Sequence, residues 1–497
     1  MSIIKVENLS FSYPTSDELI FDNVSFSVDT DWRLGFVGRN GRGKTTFLNL
    51  LMGKYEYRGK IRSSVGFDYF PYEVRDKGAD TEAVLREVAP TAEDWQFMRE
   101  LAYLDVNAEV LYRPFRTLSN GEQTKVLLAA LFLNEGKFLL IDEPTNHLDT
   151  AARGLVAQYL KRKKGFILVS HDRNFLDGCV DHILSLNKSN IEVVSGNFSS
   201  FMADFERRQD YERKEALRLQ TDIRRLNEAA RRTAQWSDKV EASKIGTRVG
   251  GLRPDRGFIG HKSAKMMKRA KVVEARQQKE IEQKSKLLQN VEYTHKLKLL
   301  PLDYRAETLA VFNGVAAVYG GREVMLPTSF CVKRGDRIAI DGKNGSGKSS
   351  LLKLLCGQNI EHSGDIKIGS NLIISYVPQD SSFLRGTLKD LAAESNIDES
   401  LFKSMLQKLG MDKAQFGKDM SEFSGGQKKK TLIAKSLCES AHLYVWDEPL
   451  NYIDVFSRIQ IEELITAFNP TMIFVEHDKA FQNEIATSVV EIKNLLL

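Results

Sequence analysis

Gly38-Arg39-Asn40-Gly41-Arg42-Gly43-Lys44-Thr45-Thr46 and Gly342-Lys343-Asn344-Gly345-Ser346-Gly347-Lys348-Ser349-Ser350 are one motif written twice, 304 residues apart. In the first copy a strand-like run, residues 33–37, leads into the glycines, and a helix-like run, residues 47–52, follows. Strand, glycine-rich loop with Lys-Thr/Ser, helix is the context in which such a loop cradles phosphate. The glycines turn backbone N–H groups inward at a helix N-terminus. Lys44 and Lys348 then supply charge to the outer phosphates, and the Thr45 and Ser349 hydroxyls are placed for Mg2+.

Four further features repeat at nearly the same offset. Apolar runs end in carboxylate pairs, Asp142-Glu143 and Asp447-Glu448, 305 residues apart. Ser119-Asn120-Gly121-Glu122 and Ser424-Gly425-Gly426-Gln427 also lie 305 apart, each ahead of a helical run that begins at Lys125 in the first copy. His171 and His477 follow apolar runs and lie 306 apart, as do Tyr13 and Tyr319. Chance does not produce such a series; the chain is an internal duplication. At a strand end beside a phosphate loop, Asp142 or Asp447 can hold Mg2+, and Glu143 or Glu448 can orient or deprotonate a water. Each serine-glycine turn is an anion site by geometry, although a plain helix cap is the simpler reading of it.

Between the copies, residues 204–300 carry 25 Lys/Arg against 14 Asp/Glu, in a chain whose net charge is only +5. The remainder is therefore net acidic. Residues 204–253 lack proline and place Phe205, Ala216, Leu219, Ile223, Leu226 and Ala230 at helical spacing; a second seam runs through Met266, Ala270, Val273, Ile281, Leu288 and Val291. Glycines and Pro254 interrupt helix between them. The pattern predicts a helical coiled-coil hairpin with its tip near residues 244–261 and arms reaching on the order of 60 Å. A passive charged spacer is one use for such a rod. Nucleic-acid contact is the other, with Trp236, Phe258, Lys262, Lys265, Lys268, Arg269 and Lys271 as candidates. The expected domains are thus 1–203, 204–300 and 301–497.

No apolar run reaches the roughly 18 residues a membrane helix needs. The opening, MSIIKVENLSFSY, has no secretory pattern, and Cys179, Cys331, Cys356 and Cys438 are scattered without a CxxC, so a reducing cytoplasm is expected.

The phosphate loops, serine-glycine turns, Asp-Glu strand ends, downstream Asp149 and Asp454, and histidines resemble ABC-type ATPases, twice in one chain. The resemblance implies an α/β fold of two tandem P-loop ATPase domains, facing head to tail within a monomer, that hydrolyse ATP with Mg2+. It implies one site from Lys44, Asp142, Glu143 and His171 with Ser424 and Gly426. The other would use Lys348, Asp447, Glu448 and His477 with Ser119 and Gly121. Tyr13 and Tyr319 would stack on adenine, and Gln379 would sense the γ-phosphate and Mg2+. Departures from the family pattern predict unequal sites: Tyr72 stands where the second half has Gln379, Asn120 and Glu122 where the second has Gly425 and Gln427, Glu476 where the first has Ser170, and Tyr452 where the first has His147.

Two complete halves joined by a basic hairpin resemble the ABC-F family of translation-associated ATPases. The stretch 256–269 is similar to linkers of its Lsa/Vga-like branch, which protects ribosomes from antibiotics. This implies binding at the tRNA exit site, contact with large-subunit rRNA and P-site tRNA, and displacement of lincosamides, pleuromutilins and streptogramin A. A housekeeping translation factor of the same family is the alternative. A transporter ATPase fits poorly without a membrane segment. In a DNA-maintenance ATPase the coil would interrupt one ATPase rather than join two. The phosphate loop-to-signature gaps, 81 and 82 residues, leave no room for the extra arm of some housekeeping members, and no C-terminal extension is expected after Leu497.

Overall fold

The computed structural model describes residues 2–14, 19–145, 148–187, 190–242 and 299–495. The chain divides into two compact units, Met1–Phe201 with Lys296–Leu497, and Met202–His295. The first unit holds both copies of the repeat.

Each copy is built on a largely parallel sheet. In the first the strand order is Gly66–Phe70, Lys137–Asp142, Phe166–Val169, Arg33–Gly38, His182–Leu186, Ile191–Ser195, with only the last pair antiparallel. In the second it is Ile374–Val377, Leu443–Asp447, Met472–Val475, Arg337–Asp341, Ser488–Glu491, parallel throughout. The sequence encodes this directly. Phe166-Ile167-Leu168-Val169 and Met472-Ile473-Phe474-Val475 are buried at every position, as strands covered on both faces must be. The phosphate-loop strand sits in mid-sheet, one strand away from the carboxylate strand, so loop and carboxylates meet at the same carboxyl edge. A smaller antiparallel sheet adjoins each copy: Ile3–Phe11 between Phe21–Asp29 and Arg58–Arg62, and Thr308–Tyr319 between Thr328–Lys333 and His362–Ile368.

Helical elements precede each serine-glycine turn. Helices Asp94–Tyr103 and Glu399–Lys408 are repeats of one another. They bury Phe97 with Leu101, and Phe402 with Leu406, against the helices that follow the turns. Those helices begin at Asn120 and Gly425. The first thus starts five residues before Lys125, because Ser119 and Glu122 form a capping box that pulls the polar turn into the helix.

The long helix Phe198–Ala242 begins six residues ahead of the expected Asp204. Asn197 Oδ1 accepts from Ser200 N at 3.0 Å, and Phe198 and Phe201 are buried, so a cap and two apolar anchors place the start upstream. The expected tip at 244–261 and the second arm lie outside the described residues. Among the described residues no helix is long and apolar enough to cross a membrane.

Candidate functional site: paired phosphate loops

Gly43 and Gly347 cap the helices Lys44–Leu51 and Lys348–Leu355 with φ of 99° and 90°. Gly43 needs its missing side chain twice over, since a Cβ there would meet Ile20 Cγ2 at 2.5 Å. The loops close on their own lysines. Lys44 Nζ donates to Gly38 O at 2.7 Å, to Asn40 Oδ1 at 3.1 Å and to Arg39 O at 3.4 Å. Lys348 Nζ donates to Gly342 O at 2.7 Å and Lys343 O at 2.8 Å. Both lysines are buried, and burial depresses their ammonium pKa against the pull of neighbouring carboxylates. A polyanion entering the loop would offer stronger acceptors than these carbonyls. Gly41 and Gly345 lie in the loops with positive φ beside Arg42 and Ser346; the buried Ser346 hydroxyl has no hydrogen-bond partner. Tyr13 OH reaches Thr46 Oγ1 at 2.8 Å and Tyr319 OH reaches Ser350 Oγ at 2.9 Å, so both tyrosines sit at the start of the loop helix.

The carboxylate pairs arrive at the same edge. Glu143 and Glu448 both adopt left-handed backbone, φ 49° and 46°, a conformation uncommon for residues other than glycine. Their N–H groups donate to Val169 O at 2.9 Å and Val475 O at 3.0 Å. His171 Nε2 stands 3.2 Å from Glu143 Oε1, and His477 Nε2 stands 3.5 Å from Glu448 Oε1.

The two sites differ in what surrounds these acids. Glu448 is buried, which alone would raise its pKa, but His477, Gln379 and Asn451 outweigh burial and pull it to about 2. Asn451 Nδ2 donates to Glu448 Oε2 at 2.7 Å. Burial, then Asp142, push Glu143 up to about 8. Tyr72 does not stand in for Gln379; burial, then the nearby Glu87 carboxylate, raise its phenol pKa. Tyr69 is the tyrosine that enters the first site, its OH donating to Asp142 Oδ2 at 3.0 Å beside Thr45 Oγ1 at 2.9 Å. Its repeat counterpart, Tyr376, has a buried hydroxyl without a partner. Tyr69 escaped the sequence reading because an aromatic on a strand looks like core. Its register beside the carboxylate strand, Tyr69 opposite Leu140, is the missing signal.

Mg2+ takes oxygen donors, usually one or two carboxylates with hydroxyls, waters and substrate phosphate. Thr45 with Asp142, and Ser349 with Asp447, are such sets. Both Asp447 oxygens are buried without a hydrogen-bond partner, and burial pushes this carboxyl up to about 6. An orphaned buried carboxylate is what a cation site leaves when only protein is present, so these residues fit the ion. Among the described residues no group of three or more His, Cys, Asp or Glu is placed to hold a metal ion by itself.

Removing the Tyr69 hydroxyl tests its role. In a Glu448→Gln background, Tyr69→Phe should slow phosphate release by about tenfold, the worth of roughly 1.5 kcal/mol for a hydrogen bond to a charged group. Tyr376→Phe in a Glu143→Gln background should change the rate less than about twofold, because its hydroxyl makes no such bond. Equal effects would remove the distinction.

The first phosphate loop also touches the second half. Asn40 N donates to Asp454 Oδ2 at 3.2 Å and Asn40 Nδ2 to Tyr452 O at 2.5 Å. A Cβ on Gly426 would lie 3.7 Å from Asn40 Nδ2, so the second serine-glycine turn faces the first phosphate loop. Asp454 is also bound by Lys430 Nζ at 3.2 Å, from the helix that follows that turn. Arg173 of the first half forms a two-pronged ion pair with Glu462 of the second. Across the other junction, Asp149 acts on the charge of Lys348. Asn40, Gly426, Lys348, Asp149 and Asp454 stood out in sequence, whereas Lys430, Arg173 and Glu462 did not, since a charged residue in a helix carries no mark of its distant partner.

The two turns are capped alike but not identically. Ser424 Oγ only accepts, from Gln427 N at 3.3 Å, while Gln427 Oε1 takes Ser424 N at 2.9 Å; Gly425 is the first residue of the helix. Ser119 Oγ accepts from Glu122 N and also donates to Glu122 Oε2 at 2.8 Å, with Gly121 in the same first turn. Trp236 lies on the helix Phe198–Ala242. Phe258, Lys262, Lys265, Lys268, Arg269 and Lys271 lie outside the described residues.

Residues 21–146 and 326–451 each match the ABC transporter family. The ribosome protection protein VmlR of Bacillus subtilis (strain 168) is 28% identical over 503 residues, covering 99% of this chain and 87% of that protein. The ATP-binding protein Uup of Caulobacter vibrioides is 27% identical, over 95% of this chain and 74% of Uup. Among solved structures, an archaeal ribosome recycling factor aABCE1, determined with the ribosomal stalk protein aP1, superposes with a TM-score of 0.63 at 19% identity, over 97% of this chain and 87% of that one. That last likeness concerns fold alone.

Proposed function

We propose, from the premise that the chain belongs to the ABC transporter family and is an ABC-F ATP hydrolase, that it acts on the ribosome. There it protects the peptidyl-transferase centre from lincosamides, pleuromutilins and streptogramin A. The observation that carries this reading is the likeness to a ribosome protection protein through both halves and the segment between them. The basic excess of residues 204–300 supports contact with rRNA and P-site tRNA. The setting is the cytoplasm, and the working form is a monomer whose halves pair within the chain.

In this reading ATP enters each phosphate loop and draws Lys44 or Lys348 from the loop carbonyls onto its phosphates. Its far side meets the serine-glycine turn of the opposite half, Ser424 and Gly426 at the first loop, Ser119 and Gly121 at the second. Thr45 with Asp142, and Ser349 with Asp447 and Gln379, would hold Mg2+, which neutralises phosphate charge when bound. Glu143 and Glu448 orient the attacking water and accept its proton, with His171 and His477 beside them. The ring faces of Tyr13 and Tyr319 take adenine. Closure of the halves sets the angle of the 204–300 hairpin, and hydrolysis releases it. Ser119 already gives its hydroxyl proton to Glu122, an acid that would face the phosphates. The site using Ser119 is therefore the weaker for nucleotide, and the two turn over at unequal rates.

Expression in a sensitive bacterium tests the reading. Growth should resume at several-fold higher lincosamide, pleuromutilin or streptogramin A, with macrolides and phenicols tested beside them. Unchanged sensitivity to all would overturn protection and leave the second reading, a translation factor acting at the P-site tRNA.

A further inference from the structure

We infer that the outer face of the helix Asp94–Tyr103 is a docking surface for a basic protein segment bearing apolar anchors. The face is drawn at helical spacing: Trp95, Met98, Arg99, Ala102 and Tyr103 fall at i, i+3, i+4, i+7 and i+8. Trp95 is 54%, Met98 42% and Tyr103 46% exposed, and Tyr112, just beyond, is 68% exposed. The opposite side of the helix does the packing, through Phe97 and Leu101. On the aromatic side the contacts within the fold are few: Arg99 and Arg162 lie over the Trp95 and Tyr103 rings, and Trp95 Nε1 donates to Glu93.

The duplication supplies a control. At an offset of 305 residues the helix Glu399–Lys408 keeps the buried pair as Phe402 and Leu406. Its outer positions read Ser400 for Trp95, Lys403 for Met98, Ser404 for Arg99, Gln407 for Ala102 and Lys408 for Tyr103. The same helix in the same architecture is thus stable with a polar exterior; on the packed side the halves also differ, with buried Glu100 where the twin has buried Met405. Scattered exposed apolar residues need no explanation, but exposed Trp95, Met98 and Tyr103 on one helix face, polar in the twin, do.

Charge selects the occupant. Glu93 and Asp105 bracket the stripe, and Glu109 lies beside Tyr112 in chain; all three are exposed and none has a basic partner among the described residues. Arg99 is committed to Glu100 at 3.0 Å and to the Trp95 ring, its guanidinium 5.1 Å from the centroid; Arg162 likewise covers Tyr103 at 5.1 Å. Glu93 takes the Trp95 indole N–H and caps the helix, which leaves Asp105 and Glu109 to repel nucleic-acid phosphate and favour lysine and arginine, while Trp, Met and Tyr are side chains that anchor protein interfaces. On a ribosome, where this inference rests on the proposed function, the partner is a basic ribosomal protein rather than rRNA.

The test substitutes the twin's own residues: Trp95→Ser, Met98→Lys and Tyr103→Lys together, with Met98→Lys alone as a second variant should the triple not fold. ATPase rate is expected to stay at the parent value. Two binding measurements decide. A short helical peptide with leucine on one face and lysine on the other should bind the variant about tenfold or more weaker than the parent, as when aromatic anchors are removed. Equal binding overturns the inference, whether or not ribosomes are bound. Separately, benzoylphenylalanine at position 95 in the Glu143→Gln/Glu448→Gln protein, bound to purified ribosomes with ATP, should crosslink to a basic ribosomal protein. Crosslinks to rRNA, to a second copy of this chain, or to nothing while the protein co-sediments, each overturn it. Failure of the parent protein to sediment with ribosomes at all would instead sink the ribosomal reading, and the peptide measurement would still decide the docking face.

Discussion

Replacing Glu143 and Glu448 together by glutamine should reduce ATP hydrolysis by about 10²- to 10⁴-fold while nucleotide binding persists. Each glutamate is held at a strand end by its own N–H, bonded to Val169 O or Val475 O, and in left-handed backbone that aims the side chain at the loop edge. Glutamine keeps that placement and the volume but cannot accept the water's proton. The phosphate loops, which bind, are untouched. Under the proposed function the double variant accumulates on ribosomes in the presence of ATP, because release follows hydrolysis. The check is a phosphate-release assay beside sedimentation through a sucrose cushion. Loss of nucleotide binding would point to a collapsed site, and a protein that binds ATP but stays free of ribosomes would overturn the proposed cycle.

Lys430→Met should cost about 3–5 kcal/mol, because it leaves a buried carboxylate uncompensated. Asp454 is fully buried; its Oδ2 takes Lys430 Nζ at 3.2 Å, Asn40 N at 3.2 Å and Ser457 Oγ at 3.0 Å. Burial opposes the charge, yet Lys430, then Lys44, outweigh burial and hold this carboxyl well below its usual range. The expected fall in Tm is on the order of 10 °C, at 2–4 °C per kcal/mol for domains of this size. Lys430→Met with Asp454→Asn should recover most of it, since the buried charge is then gone; no recovery would mean the lysine acts elsewhere. Because the folded pKa is depressed, the stabilisation from Asp454 is fully present above the unfolded carboxylate value, about 4, and is lost as pH falls through the folded one. The parent should thus be more acid-sensitive than the double variant.

The mid-sheet strands Phe166–Val169 and Met472–Val475 were legible because they are short and wholly apolar, a pattern that burial on both faces imposes, whereas edge strands such as Gly66–Phe70 and Ser488–Glu491 mix in polar residues and gave no such signal. The phosphate loops and carboxylate pairs were legible for another reason: each is local, and the duplication printed each of them twice. Tyr72 shows the limit of alignment. It occupies the place of Gln379 in the repeat, yet its phenol lies near Glu87, and Tyr69, three residues earlier, reaches the carboxylate instead. Position along a motif gives the residue, and the path of the backbone gives the direction of its side chain.

Sequence alone thus determined two nucleotide-binding halves, their internal homology, and a cationic stretch between them, because each is written in contiguous residues or in composition. Only tertiary structure decided that Asn40 meets Asp454 and Tyr452, that Arg173 pairs with Glu462, and that Trp95, Met98 and Tyr103 face outward where their twins are polar. Contacts such as Asn40 with Asp454 join residues more than 400 positions apart. Long-range pairing follows from how two folded surfaces pack, and exposure from which side of a helix is left over once the core is filled.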